Sequence, residues 1–72
     1  MTTKYDWSDV PETIAYIATD SDGFVFGYKS KPDHVAKQFI GDVYVGFCLY
    51  PEDNPFKGIW TNSIEQRPGE PQ

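Results

Sequence analysis

Two arms that are apolar at most positions, Thr13-Ile14-Ala15-Tyr16-Ile17-Ala18-Thr19 and Phe24-Val25-Phe26-Gly27-Tyr28-Lys29-Ser30, meet at the polar cluster Asp20-Ser21-Asp22-Gly23. β-Branched and aromatic side chains dominate both arms, and a short Asp/Ser/Gly cluster between such arms favours a tight reversal in which glycine takes a positive φ. The pattern predicts a hairpin with a three-residue loop over residues 21–23 and a G1 bulge at Gly23. That register sets Asp20 opposite Phe24, Ala18 opposite Phe26 and Tyr16 opposite Tyr28. It gathers Ile14, Tyr16, Ala18, Phe24, Phe26 and Tyr28 on one face, which a two-residue turn at Asp22-Gly23 loses.

Beyond the hairpin, Asp42-Val43-Tyr44-Val45-Gly46-Phe47-Cys48-Leu49-Tyr50 is apolar at almost every position and reads as a third strand, central or covered on both sides. Val43, Val45, Phe47 and Leu49 fall on one face, with Tyr44, Cys48 and Tyr50 on the other. Pro51 and Pro55 force a reversal before residues 56–60, the fourth strand candidate, and Thr61-Asn62-Ser63 begins a turn or a single helical turn over residues 64–66. Between the second and third strands, Pro32 stops the chain and residues 33–39 read as a turn or loop, with a short helix as the alternative. Residues 1–12 form an irregular, polar arm with two candidate anchors, Tyr5 and Trp7, and residues 67–72 a flexible tail rich in Pro and Gly. The predicted fold class is mainly β, or a β-rich α+β at most. It is a single domain over residues 13–66, built on a small antiparallel sheet of three or four strands (about 13–19, 24–30, 43–50 and 56–60) with at most one short helix.

Composition narrows the partners. Eleven acidic against six basic residues give a net charge of −5, which disfavours nucleic acid and anionic lipid, since both attract clustered Lys and Arg. Lys29, Lys31 and Lys37 are the one local positive cluster that could serve single-stranded nucleic acid stacked on an aromatic sheet face. Aromatic residues make up 17% of the chain, so a few large side chains should carry the core. One cysteine, no apolar leader and no membrane-length apolar run point to a cytoplasmic protein with no membrane partner.

Catalytic constellations are not evident. Asp20-x-Asp22-Gly23 is similar to the start of a calcium loop, but an EF-hand needs Gly and Glu where Val25 and Lys31 stand, so the segment reads as turn chemistry. His34 and Cys48 are each the sole residue of their type, too few ligands for structural zinc, and Cys48 in its apolar strand reads as an inert core thiol. The sequence therefore predicts no catalytic residue, no metal site and no cofactor.

Asp6-Trp7-Ser8-Asp9-Val10-Pro11 and Tyr16-Ile17-Ala18-Thr19-Asp20-Ser21-Asp22-Gly23 match a W-x-x-x-P … Y-x-A-x-D-x-D-G opening, and Trp60-Thr61-Asn62-Ser63-Ile64-Glu65-Gln66-Arg67-Pro68 a W-x-x-S-[LI]-x-x-R-P ending. In these motifs the chain resembles small uncharacterised proteins of tailed bacteriophages and prophages, over about two thirds of its length with residues 33–55 unmatched. The resemblance implies a phage origin, a host bacterial cytoplasm and a β-rich fold, with host takeover or counter-defence as the usual class of role; it carries over no catalytic residue. The expected function is a non-enzymatic binding protein acting on a host or phage protein. A small-molecule-sequestering oligomer and a single-stranded nucleic-acid binder are the alternatives.

For the binding residues, Trp60 and Arg67 belong to types enriched at interface hot spots, and the same pair can equally close the sheet as a clasp, with Ser63 capping the last turn. Trp7 packs back on the sheet or serves as an exposed contact. Tyr44 and Tyr50, together with Trp60, are expected on a face open to a partner or to a second copy in a homodimer.

Overall fold

The computed structural model describes residues 3–69. Six strands follow in order: β1 (Tyr16–Thr19), β2 (Val25–Tyr28), β3 (Asp33–Val35), β4 (Gln38–Ile40), β5 (Val43–Leu49) and β6 (Glu65–Gln66). Helix among the described residues is limited to two 3-10 turns, Pro51–Asp53 and Trp60–Asn62. The protein is mainly β, with a four-stranded antiparallel sheet in the order β5-β2-β1-β6 and a separate hairpin, β3-β4.

The central hairpin has the predicted register, Tyr16 opposite Tyr28 and Ala18 opposite Phe26. Gly23 has φ +94° and donates its N–H to Asp20 O at 2.9 Å, while the Asp20 N–H reaches Phe24 O at 2.9 Å. Tyr16, Ala18, Phe26 and Tyr28 share a face and pack with Phe39, Trp60 and Ile64. Ile14 does not join them. The chain turns just before β1, with the Ile14 N–H on Pro11 O, and this delivers Ile14 to the opposite face beside Ile17 and Val25. There it lies over Gly27, the residue opposite Ile17. Phe24 meets Tyr50 edge-on at 5.5 Å.

The strand expected at the centre is at the edge. Among the described residues β5 pairs only with β2, and it is largely exposed, with Val45 at 89%. Its register slips between Phe26 and Tyr28, where Gly46 adopts φ +109°, so the simple two-face alternation fails. The bulge brings Tyr44 to the same core as Phe47 and Leu49, and it leaves Val43, Val45 and Cys48 exposed. Cys48 is thus a surface thiol rather than a core residue. A bulge also bends an edge away from further pairing, which protects an otherwise sticky strand.

Residues 33–39, which read as a turn or loop with a short helix as the alternative, lie in the β3-β4 hairpin, which reverses through Ala36 at φ +54°. This hairpin is fastened to the main sheet through Phe39. The Asp20 carboxylate accepts the Phe39 N–H at 2.9 Å, the Tyr28 hydroxyl donates to Phe39 O at 3.2 Å, and the Ser21 N–H reaches Lys37 O at 3.2 Å. The Asp20-Asp22 pair therefore serves the backbone: Asp22 Oδ1 accepts the Phe24 N–H at 3.1 Å.

Burial pushes the Tyr28 hydroxyl up to about 12, with the nearby Asp20 charge adding to it, and burial likewise raises Tyr5. Groups raised in the folded state contribute stability that is full below the unfolded value and lost as pH rises through the folded one. The fold should therefore weaken between about pH 10 and 12, with tyrosinate absorbance appearing together with loss of structure. In Tyr28→Phe the same transition should move to higher pH, and an unmoved midpoint would exclude Tyr28 as its source.

The fourth strand lies later than expected. Residues 56–60 contain no strand, and β6 pairs with β1 through Tyr16–Gln66 and Ile17–Glu65. Two residues beyond this ladder Ser63, fully buried, stands opposite Thr19, where its hydroxyl accepts the Thr19 N–H at 2.8 Å and donates to Thr19 O at 3.1 Å. Ser63 closes the 3-10 turn as its C-cap residue in αR conformation, so its side chain stands in for the missing strand backbone. At the other end the Arg67 N–H reaches Ala15 O at 2.7 Å, which carries the ordered chain into the segment expected to be a tail; residues 70–72 of that tail lie outside the described residues.

Candidate functional site

The irregular N-terminal arm crosses one face of the sheet. Tyr5 and Val10 are buried with Ile14, Ile17 and Val25, and Trp7 packs against them. The Tyr5 hydroxyl donates to Ser63 O at 3.0 Å and lies 2.7 Å from Thr19 Oγ1, which also accepts from Asn54 Nδ2 at 3.1 Å. With the tyrosine proton spent on Ser63, the Thr19 hydroxyl supplies the proton of the shared bond.

The expected binding residues are divided between several sites. Trp7 donates its Nε1–H to Glu65 Oε1 at 2.8 Å, and the Arg67 guanidinium stacks 4.9 Å from the Trp7 ring centre. Arg67 also donates from Nε to Ile14 O at 2.9 Å and from a terminal nitrogen to Pro11 O at 2.5 Å. Trp7 and Arg67 thus clasp arm to sheet, the planar guanidinium filling several carbonyls at once. Trp60 lies with the other core, meeting His34 at 4.8 Å and Phe39 at 5.7 Å, edge to face in both cases, and so buttresses the β3-β4 hairpin. Tyr44 is half-buried in the first core and Tyr50 is 58% exposed beside Phe24. A single face bearing Tyr44, Tyr50 and Trp60 does not form, because the bulge in β5 sends Tyr44 to the side opposite Trp60.

The clasp fixes the arm over β1 and β6, and four strands are wider than one arm. On the β5 side a groove of about 350 Å³ remains between the arm and the turn that follows β5. Val10, Phe47, Leu49 and Pro55 give it an apolar lining, and the exposed carboxylates of Asp6, Asp9 and Asp53 complete it, with no Lys or Arg among its lining residues. The Ser8 N–H and hydroxyl bind Asp6 Oδ1 at 3.0 and 2.7 Å, and these bonds hold the Asp6 carboxyl below its usual range. Sequence reading missed this site because its walls come from residues 6–10 and 47–55; the signal available was the pairing of Asp6 and Asp9 around the anchor Trp7. A second groove of about 400 Å³ lies where Phe26, Tyr28, Phe39, Ile40 and Val43 meet. Its one carboxylate, Asp20, is engaged by the Phe39 N–H.

Among the described residues no group of three or more His, Cys, Asp or Glu side chains is placed to hold a metal ion, and no helix is long and apolar enough to cross a membrane. Searches against protein-family models, curated proteins and solved structures gave no match to this chain.

Proposed function

We propose that this chain is a small, non-enzymatic binding protein of a bacteriophage or prophage, acting in the bacterial cytoplasm by occupying the surface of a host or phage protein. The observation that carries this reading is the groove between arm and β5, where Phe47 and Leu49 stay half-exposed beside exposed Pro55 although the chain has little core to spare. Much of the aromatic and hydrogen-bonding capacity elsewhere is consumed internally, by the Trp7–Arg67 clasp and by the Trp60–His34–Phe39 cluster. The resemblance to small phage proteins supports the origin and the general class of role. Affinity capture of the tagged chain from bacterial lysate should recover one protein in near-equal amount. Co-purification of a metabolite with no protein would instead favour sequestration of a small molecule.

A further inference from the structure

We infer that the groove between the N-terminal arm and β5 receives a segment of the partner protein in which basic side chains alternate with aliphatic ones; this rests on the protein-binding reading above. An apolar floor calls for aliphatic side chains, because water leaves Phe47, Leu49 and Val10 only if carbon replaces it. The carboxylates dictate the rest. Asp6, Asp9 and Asp53 are exposed at the groove, uncompensated by any basic lining residue, and Asp6 is held in its charged form by Ser8. An acidic or phosphorylated segment would meet like charge on both sides, whereas Lys or Arg can lay an alkyl stem on the floor and keep the charged head at the carboxylates.

The spacing of the acids argues for a chain rather than a single cation. Two stand on the arm and one in the 3-10 turn after β5, and they do not gather closely enough to hold one ion together. A peptide that presents basic side chains at intervals meets each carboxylate in turn. The second groove has no such charge pattern, and nothing there specifies an occupant.

The test is an NMR titration of the labelled protein with a blocked tetrapeptide alternating leucine with arginine. One control peptide has serine for leucine and another has glutamate for arginine. The leucine-arginine probe should shift the amide signals of Val10, Phe47, Leu49 and Asp53 and lose affinity as salt is raised, and both controls should bind more weakly. Asp9→Asn combined with Asp53→Asn should weaken that binding about three- to tenfold with an unchanged denaturation midpoint, since both side chains are exposed. Shifts centred elsewhere, equal binding of the serine control, or unchanged affinity in the double variant would overturn the assignment. The captured partner separates the two readings. If it binds the double variant as tightly as the wild type but is lost on Val45→Glu, binding to a protein stands and the groove is the wrong surface. If no protein is captured, the binding reading falls and this inference falls with it.

Discussion

Ser63→Ala should lower the folding free energy by about 2–4 kcal/mol, because it strips partners from two buried backbone groups at once. Ser63 is fully buried, and its hydroxyl serves both the N–H and the C=O of Thr19. In an ordinary ladder those groups would pair with a neighbouring backbone, but here the chain is turning out of the Trp60–Asn62 3-10 turn and cannot offer one. Alanine leaves both groups buried without the hydroxyl, and the loss spreads to the Tyr5 hydroxyl, which donates to Ser63 O, and through Tyr5 to Thr19. Thr61→Ala, at an exposed position in the same turn, should stay within about 0.5 kcal/mol. Urea denaturation of the two variants decides the matter: a Ser63→Ala cost below about 1 kcal/mol would mean that water replaces the hydroxyl and that the bridge is not what closes the sheet.

The same serine shows how far the sequence could be read. In the sequence Ser63 stands out only as part of a motif and reads as the cap of a turn; nothing local marks it as buried, because its partner, Thr19, lies 44 residues away. The central hairpin was legible because its information is local: Asp20-Ser21-Asp22-Gly23 specifies the loop, and the loop specifies the register. Ile14 escapes the alternation because it precedes Tyr16, where the strand begins. β5 reads as a strand that is central or covered on both sides because almost every position is apolar, yet Gly46 in mid-strand is the mark of a bulge and hence of an edge. The β3-β4 hairpin has no Gly or Asn at its reversal, so Ala36 at positive φ gives no compositional signal, and docking on Phe39 holds it in place. β6, with two residues, is too short to have a period at all. As for the groove, Asp6 and Asp53 come to line one cleft only after the arm has folded over the sheet, and charge counts alone cannot show that.

Gly27→Ala should destabilise the protein by about 1–3 kcal/mol, against the direction that backbone entropy alone would give. Gly27 lies inside β2 with an extended backbone that alanine can adopt, and replacing glycine at such a site ordinarily gains a few tenths to 1 kcal/mol by restricting the unfolded chain. Packing decides otherwise. A Cβ at this position would lie 2.6 Å from Ile14 Cδ1 and 2.9 Å from Ile14 Cγ2, well inside contact distance. Ile14 cannot swing aside, because it is fully buried among Tyr5, Val10, Ile17 and Val25, and its own carbonyl is held by Arg67. The added methyl must therefore push the arm outward or distort the pairing of β1 with β2. Ile14→Val removes the Cδ1 atom that comes closest, so Gly27→Ala should cost less in that background than in the wild type, with a coupling of about 0.5–1.5 kcal/mol in a double-mutant cycle. Thermal or urea unfolding of the four proteins measures it. Additive effects of the two substitutions would show that Ile14 is free to move, and that the close approach of arm and sheet across Gly27 does not fix where the arm lies.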